Sequence, residues 1–222
     1  MPISFLTPAQ RENYGRYATS PSSEQLNRFF YLNDDDLAQI RICRGEHNRL
    51  GFALQLCTVR YLGTFLDDPV AVPSEVVQTL AHQLGISNLD TLSSYGDGKQ
   101  RWEHAAQIQI SFGYSGITEP QVGFRLTRWL YILCWTGTER PSVLFDRAAA
   151  WLLAHKILLP GCSTLERFVL RVRARVENRL WRLLGRGIGS EQRKRLEHGV
   201  NPTLLSPGAI CQPTCWSYRS RS

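Results

Sequence analysis

No apolar run in these 222 residues exceeds seven. The two longest, Trp129–Trp135 and Ala148–Ala154, fall far short of the roughly 20 residues a membrane-spanning helix requires, so none is expected. The opening stretch MPISFLTPAQRE has no basic flank ahead of an apolar block, so no secretory signal is expected. Strand-like alternation never lasts beyond four residues and no segment recurs at a fixed period, which argues against sheets and solenoids. There is no HExxH, no phosphate-cradling Walker loop and no nucleophile elbow. The glycine-spaced GRGIG at 185–189 follows a helix pattern rather than a strand, so it does not read as a nucleotide loop. His47, His82, His104 and His155 each stand alone, without the neighbours that catalysis or metal binding needs.

Cysteine is sparse and scattered, at 43, 57, 134, 162, 211 and 215. Only the last two are close together, with no His beside them to complete a zinc site. Cys43, Cys57 and Cys134 lie in apolar helical surroundings and read as small core residues. A reduced, cytoplasmic protein without cofactor, structural metal or small-molecule substrate is expected. Lysine is scarce as well. Of 26 basic residues, 23 are Arg, whose planar guanidinium suits phosphate and base edges, although an Arg-biased genome leaves the same mark.

What remains is a globular composition, 43% hydrophobic and 20% charged, long enough to bury a real core. The net charge of +7 is unevenly spread. Residues 1–162 carry 14 basic and 15 acidic side chains, whereas residues 163–197 carry 10 and 4. Helix starts punctuate the chain: Thr7-Pro8-Ala9-Gln10, Ser22 to Gln25, Asn33 before Asp34–Asp36, Ser74, Ser87-Asn88-Leu89-Asp90, Thr118 to Gln121, Pro141-Ser142 and Ser163 to Glu166. Gly45, Gly63 and Gly85 mark ends. The class is all-α, with eight to ten helices in two packed subdomains. Boundaries are expected near 66, within the Pro- and Asp-rich 63–73 stretch, and near 162. A basic amphipathic helix follows, over 163–197. The tail 198–222, with three prolines and no acidic residue, is expected to be poorly ordered.

Three segments offer chemistry. In 79–95, Ala81, Gly85 and Ile86 have helix-turn-helix spacing. Ser87 would cap a second helix presenting Asn88, Thr91, Ser93 and Ser94 to a DNA groove. The turn is one residue long for that motif, and an ordinary helix corner fits equally. In 163–184, Leu165, Phe168, Val169, Val172, Val176, Leu180 and Leu183 make one apolar face. Arg167, Arg171, Arg175 and Arg179 recur every four residues beside it. Such a stripe either neutralises phosphates or is a solvated face partly paired by Glu166 and Glu177. In 44–60, Arg49 and Arg60 share a helix face. They contact a polyanion or cover the core edge, paired with Asp34–Asp36 or Asp67–Asp68.

Four stretches carry a resemblance: FLTPAQRENYGRY (5–17), RGEHNRLGFALQLCTVRYLGTF (44–65), RWEHAAQI (101–108) and WLLAHKILLPGCSTLERFVLRVR (151–173). In this order, and over residues 1 to about 197, the chain resembles the amino-terminal region of Tn-three family transposases. The resemblance implies a helical part that recognises the terminal inverted repeats of a bacterial transposon. Strand cleavage and joining would belong to a much later domain with an acidic triad and divalent metal. It therefore implies a non-enzymatic, nucleoid-associated binder of double-stranded DNA, and a chain truncated or frameshifted where the tail departs from the family pattern. It strengthens Arg44, Asn48, Arg49 and Arg60 as candidate DNA contacts, beside which His47 and Arg101 are candidates too. The alternative is a helical protein-interaction module that associates with or inhibits a full-length transposase.

Overall fold

Side chains placed to cap backbone amides start the first three helices of the computed structural model. It describes residues 5–96, 99–187 and 189, with only the backbone of Thr91, Gly96 and Gly187. Thr7, Ser22 and Asn33 each accept from the amide three residues on, and Gln10, Gln25 and Asp36 reach back to the cap, satisfying donors that a helix end leaves orphaned. They open α1 (Pro8–Asn13), α2 (Ser23–Phe29) and α3 (Asp34–Ile42). Then come α4 (Glu46–Leu62), α5 (Ser74–Leu84), a 3-10 turn (Leu89–Leu92), α6 (Ser93–Gly96), α7 (Gln100–Phe112), α8 (Pro120–Thr136), α9 (Pro141–Ala154) and α10 (Cys162–Gly187). The fold is all-α. Among the described residues no strand forms, and Ser115 and Ile157 make one isolated bridge.

Three starts differ from expectation. Pro73 occupies the cap position of α5, so Ser74 is already helical. Asn88, not Ser87, caps the 3-10 turn, its side chain accepting from Asp90 N at 3.0 Å. Ser163 lies inside α10, because the Gly161 carbonyl already accepts from Thr164 and Leu165 and starts the helix earlier. The disorder expected of 198–222 lies outside the described residues.

The chain divides into two units, Met1–Val176 and Glu177–Ser222. The first holds two apolar clusters. One centres on α4, where every residue from Leu50 to Val59 is buried; α2, α3, α5, α6 and α7 pack around it. The loop at 63–73 does not leave this cluster, since Phe65, Val70 and Val72 pack on it. The other cluster joins α8, α9 and the start of α10 through Leu126, Leu130, Leu144, Ala148, Leu152, Leu165 and Val169. The amino-terminal segment belongs here: Leu6 is buried in it, Tyr14 OH donates to Pro160 O at 3.0 Å, and Arg11 pairs with Glu166. Gly63 ends α4 at φ 76°, and its carbonyl accepts from Leu159 N at 2.8 Å. A Cβ at Gly63 would stand 2.1 Å from Leu153 Cδ2, so the α4 terminus meets the second cluster closely only because the residue is glycine.

A buried polar chain crosses the first cluster. Gln55 Nε2 donates to Tyr95 OH (2.7 Å) and to Arg101 O (2.9 Å). Tyr95 therefore donates its own proton to His104 Nδ1 at 3.0 Å. His104 Nε2 then carries the hydrogen and faces Cys43 Sγ at 3.8 Å. His104 is held neutral, its pKa lowered by burial although Glu103 opposes the shift. A depressed imidazole pKa means that the unfolded chain binds the extra proton first. Stability is thus expected to be full above pH 6.5, the ordinary value, and to fall as acidification charges the unfolded state. Urea midpoints at pH 7.5 and 5.0 check this, and His104→Gln should flatten the difference. Cys57, fully enclosed by α4 packing, has its thiol pushed up to about 12 by burial, with Arg60 pulling it down and Asp36 raising it; it is an inert core residue.

Candidate nucleic-acid interface

Within the first unit, α10 turns its Leu165, Val169, Val172 and Val176 inward and its Arg167, Arg171 and Arg175 outward. The four-residue step rotates each arginine about 40° from the last, so the three cover one outer flank. Arg167 Nε is tied back to Ser163 O at 3.1 Å. Arg171 and Arg175 are in no ion pair among the described residues. Glu166, next to the stripe in sequence, is buried and pairs with Arg11. Phe168, expected on the apolar face, is half-buried. In the second unit the helix continues with Arg179, Arg182 and Arg186 exposed. There Leu180 is half-buried, while Leu183 and Trp181 are exposed.

The candidates at the start of α4 divide. Arg44 is exposed, and its carbonyl accepts from Asn48 Nδ2 at 2.8 Å. Arg49 Nε donates to Cys43 O at 3.1 Å. His47, half-buried, lies against Gly45, whose φ of 84° opens the helix without a side-chain cap. Arg60 sits elsewhere: Nη2 reaches Asp36 Oδ1 at 2.8 Å and Nη1 reaches Tyr31 O at 3.2 Å. Asp36 is 1% exposed, so Arg60 balances a buried carboxylate. Of the two expectations for Arg60, the geometry is that of the core edge.

After α5, the chain turns at Gly85 (φ 66°) and buries Ile86 and Ala81, as a helix-turn-helix would. The second element is short, one 3-10 turn and the four-residue α6. Ser87, Asn88, Ser93 and Ser94 are exposed. Asn88 and Ser93 spend polar atoms locally, Ser93 Oγ donating to Asp90 O at 2.8 Å. The side chain of Thr91 lies outside the described residues. Tyr95, one residue beyond Ser94, is 1% exposed and anchors the segment in the core. Arg101 opens α7 with its guanidinium over the Trp102 ring at 4.9 Å.

A groove of about 710 Å³ lies between α1, the 64–71 loop and the start of α10. Its walls hold Arg11 and Arg16 but also Glu12, Asp67 and Asp68, so it offers a polyanion no net attraction, and none of the sequence candidates lines it. Among the described residues no group of three or more His, Cys, Asp or Glu is placed to hold a metal ion. No helix there is long and apolar enough to cross a membrane.

The sequence profile described as "Domain of unknown function (DUF4158)" matches residues 5–172. The chain belongs to the DUF4158 family. Curated relatives of this DUF4158 chain include the transposase for transposon gamma-delta of Escherichia coli (strain K12), 46% identical over 83% of this chain and 18% of that protein. The transposase for transposon Tn1546 of Enterococcus faecium is 30% identical over 87% of the chain and 19% of its own length. That for transposon Tn3926 of Escherichia coli is 32% identical over the same shares. Together they identify the DUF4158 chain with the amino-terminal region of Tn-three family transposases. The chain spans less than a fifth of the length of these relatives.

Proposed function

We propose that this chain is a double-stranded DNA-binding module that recognises the terminal inverted repeats of a transposon, leaving cleavage and joining to parts of the transposase outside the match. The observation that carries this is the outer flank of α10. Arg167, Arg171 and Arg175 face solvent over a buried apolar face, and the last two pair with no carboxylate among the described residues. A stripe of this kind exchanges condensed counterions for guanidinium contacts. Arg44, His47, Asn48, Arg49, Arg101 and Arg179 are further contacts in this proposal. The exposed Ser87, Asn88, Ser93 and Ser94, with Thr91, supply base-edge contacts, which phosphate contacts cannot. Arg60 is not part of the proposed surface. A nucleoid location follows from such a partner.

In a gel-shift titration, Arg171→Ala with Arg175→Ala should weaken binding to transposon-end and random duplex alike, by about 10- to 100-fold at 100 mM salt, and should reduce the log–log salt slope by about 2. Changes at Asn88 and Ser94 should instead narrow the gap between specific and random duplex. Equal affinity of the intact chain for both duplexes would remove the specificity, and an unchanged slope in the double variant would remove the surface.

A second reading, a helical module that binds a full-length transposase, is favoured by the outer face of α7, where Trp102 is 65% and Ile110 83% exposed. Nuclease-resistant capture of full-length transposase, lost on Trp102→Ser with Ile110→Ser, would support it.

A further inference from the structure

We infer that the outer face of α8 is a second DNA-contact surface, separate from the α10 stripe; the inference rests on the DNA-binding reading above. The helix PQVGFRLTRWLYILCWT contains no acidic residue. Val122, Leu126 and Leu130 bury one side in the second cluster. Phe124, Arg125, Arg128 and Ile132 occupy the other and are all exposed. Neither arginine is in an ion pair among the described residues.

Arg125 is also held in place. Its guanidinium lies over the Trp151 ring, 5.7 Å from the centroid. Trp151 is packed in turn against the Trp129 ring at 6.0 Å and stacked on the His155 imidazole at 4.0 Å, and His155 Nδ1 donates to Trp151 O at 2.8 Å. A guanidinium stacked on a ring keeps its N–H edge free for planar contact with a phosphate, and less side-chain entropy is lost on binding. Two unanswered cations flanked by Phe124 and Ile132 match a groove edge, where phosphates meet apolar base surface such as thymine methyl groups. An acidic protein surface offers carboxylates that a planar guanidinium edge fits as well as it fits phosphate, so duplex DNA is preferred because of the DNA-binding reading above and the exposed apolar Phe124 and Ile132 beside the cations.

The test is salt-dependent binding of the full chain to a transposon-end duplex, comparing wild type, Arg125→Gln with Arg128→Gln, and the α10 pair Arg171→Ala with Arg175→Ala. All four positions are exposed, and circular dichroism of each variant is the check that it folds. The α8 pair should lose about 10- to 100-fold in affinity at 100 mM salt and reduce the slope by about 2. Arg125→Lys with Arg128→Lys should keep the slope, because charge remains, but lose part of the affinity. If the α10 pair weakens binding while the α8 pair does not, the α8 surface is wrong and the DNA-binding reading stands. If wild type binds no duplex, both fall.

Discussion

Arg60→Ala is expected to destabilise the protein by about 3 kcal/mol or more, because it strands a buried charge. Asp36 is 1% exposed and its two carboxylate oxygens are divided between Arg60 Nη2 (2.8 Å) and the Asn33 amide (3.1 Å). With the guanidinium gone, one oxygen of a desolvated carboxylate loses its only strong donor. The amide on the other side cannot compensate for the missing positive charge. For a domain of this size the melting temperature should drop by roughly 10 °C. Asp36→Leu combined with Arg60→Met should recover most of it, since an apolar pair of similar volume avoids desolvating charge at all. It would leave only the lost α3 cap, about 1 kcal/mol. Thermal melts of the single and double variants decide this. A single variant as stable as wild type would mean that Asp36 is solvated. The same variant separates core from interface: on well-folded protein below its melting range, Arg60→Ala should leave the DNA salt slope unchanged.

Gly51→Ala should be comparably damaging although it adds one methyl group. A Cβ at this position would stand 2.4 Å from the Tyr95 ring, well inside van der Waals contact. The ring cannot step aside, because its hydroxyl is held by Gln55 at 2.7 Å and His104 at 3.0 Å. Overpacking of a fixed ring costs about 3 kcal/mol, against a gain of about 1 kcal/mol from replacing a mid-helix glycine. The net loss is expected as a lowered urea midpoint. In a Tyr95→Ala background, which itself costs about 3 kcal/mol, the sign should reverse and alanine should stabilise. Loss of stability in both backgrounds would show that backbone geometry, not the ring, requires glycine.

Much of the fold was legible because its signals are local. Thr7, Ser22 and Asn33 announce α1 to α3 through bonds spanning three residues, and Gly63 and Gly85 end α4 and α5 in the left-handed region. The near-uniform apolarity of 46–62 marked α4 as central, and it is. Less of the candidate site could be read. The Arg167, Arg171 and Arg175 stripe is visible in the spacing, yet the fate of Glu166 depended on Arg11, 155 residues away in sequence. Arg60 showed the same charge pattern as its neighbours, and only the placement of Asp36 separates it from them. The α8 arginines gave no periodic signal against the aromatic background. Trp151 and His155, which orient one of them, lie on the end of another helix.

By itself, then, the sequence determined the helical class, the central place of α4 and the family resemblance, because caps, periodicity and motif order act over a few residues or along the chain. Tertiary structure alone decided which arginines balance buried carboxylates and which face solvent without an ion-pair partner among the described residues. It also decided that the amino-terminal segment packs on α10 and that the 63–73 loop stays on the first cluster. Those outcomes depend on which distant side chain supplies the neutralising charge or the apolar partner, and no spacing along the chain encodes that distance.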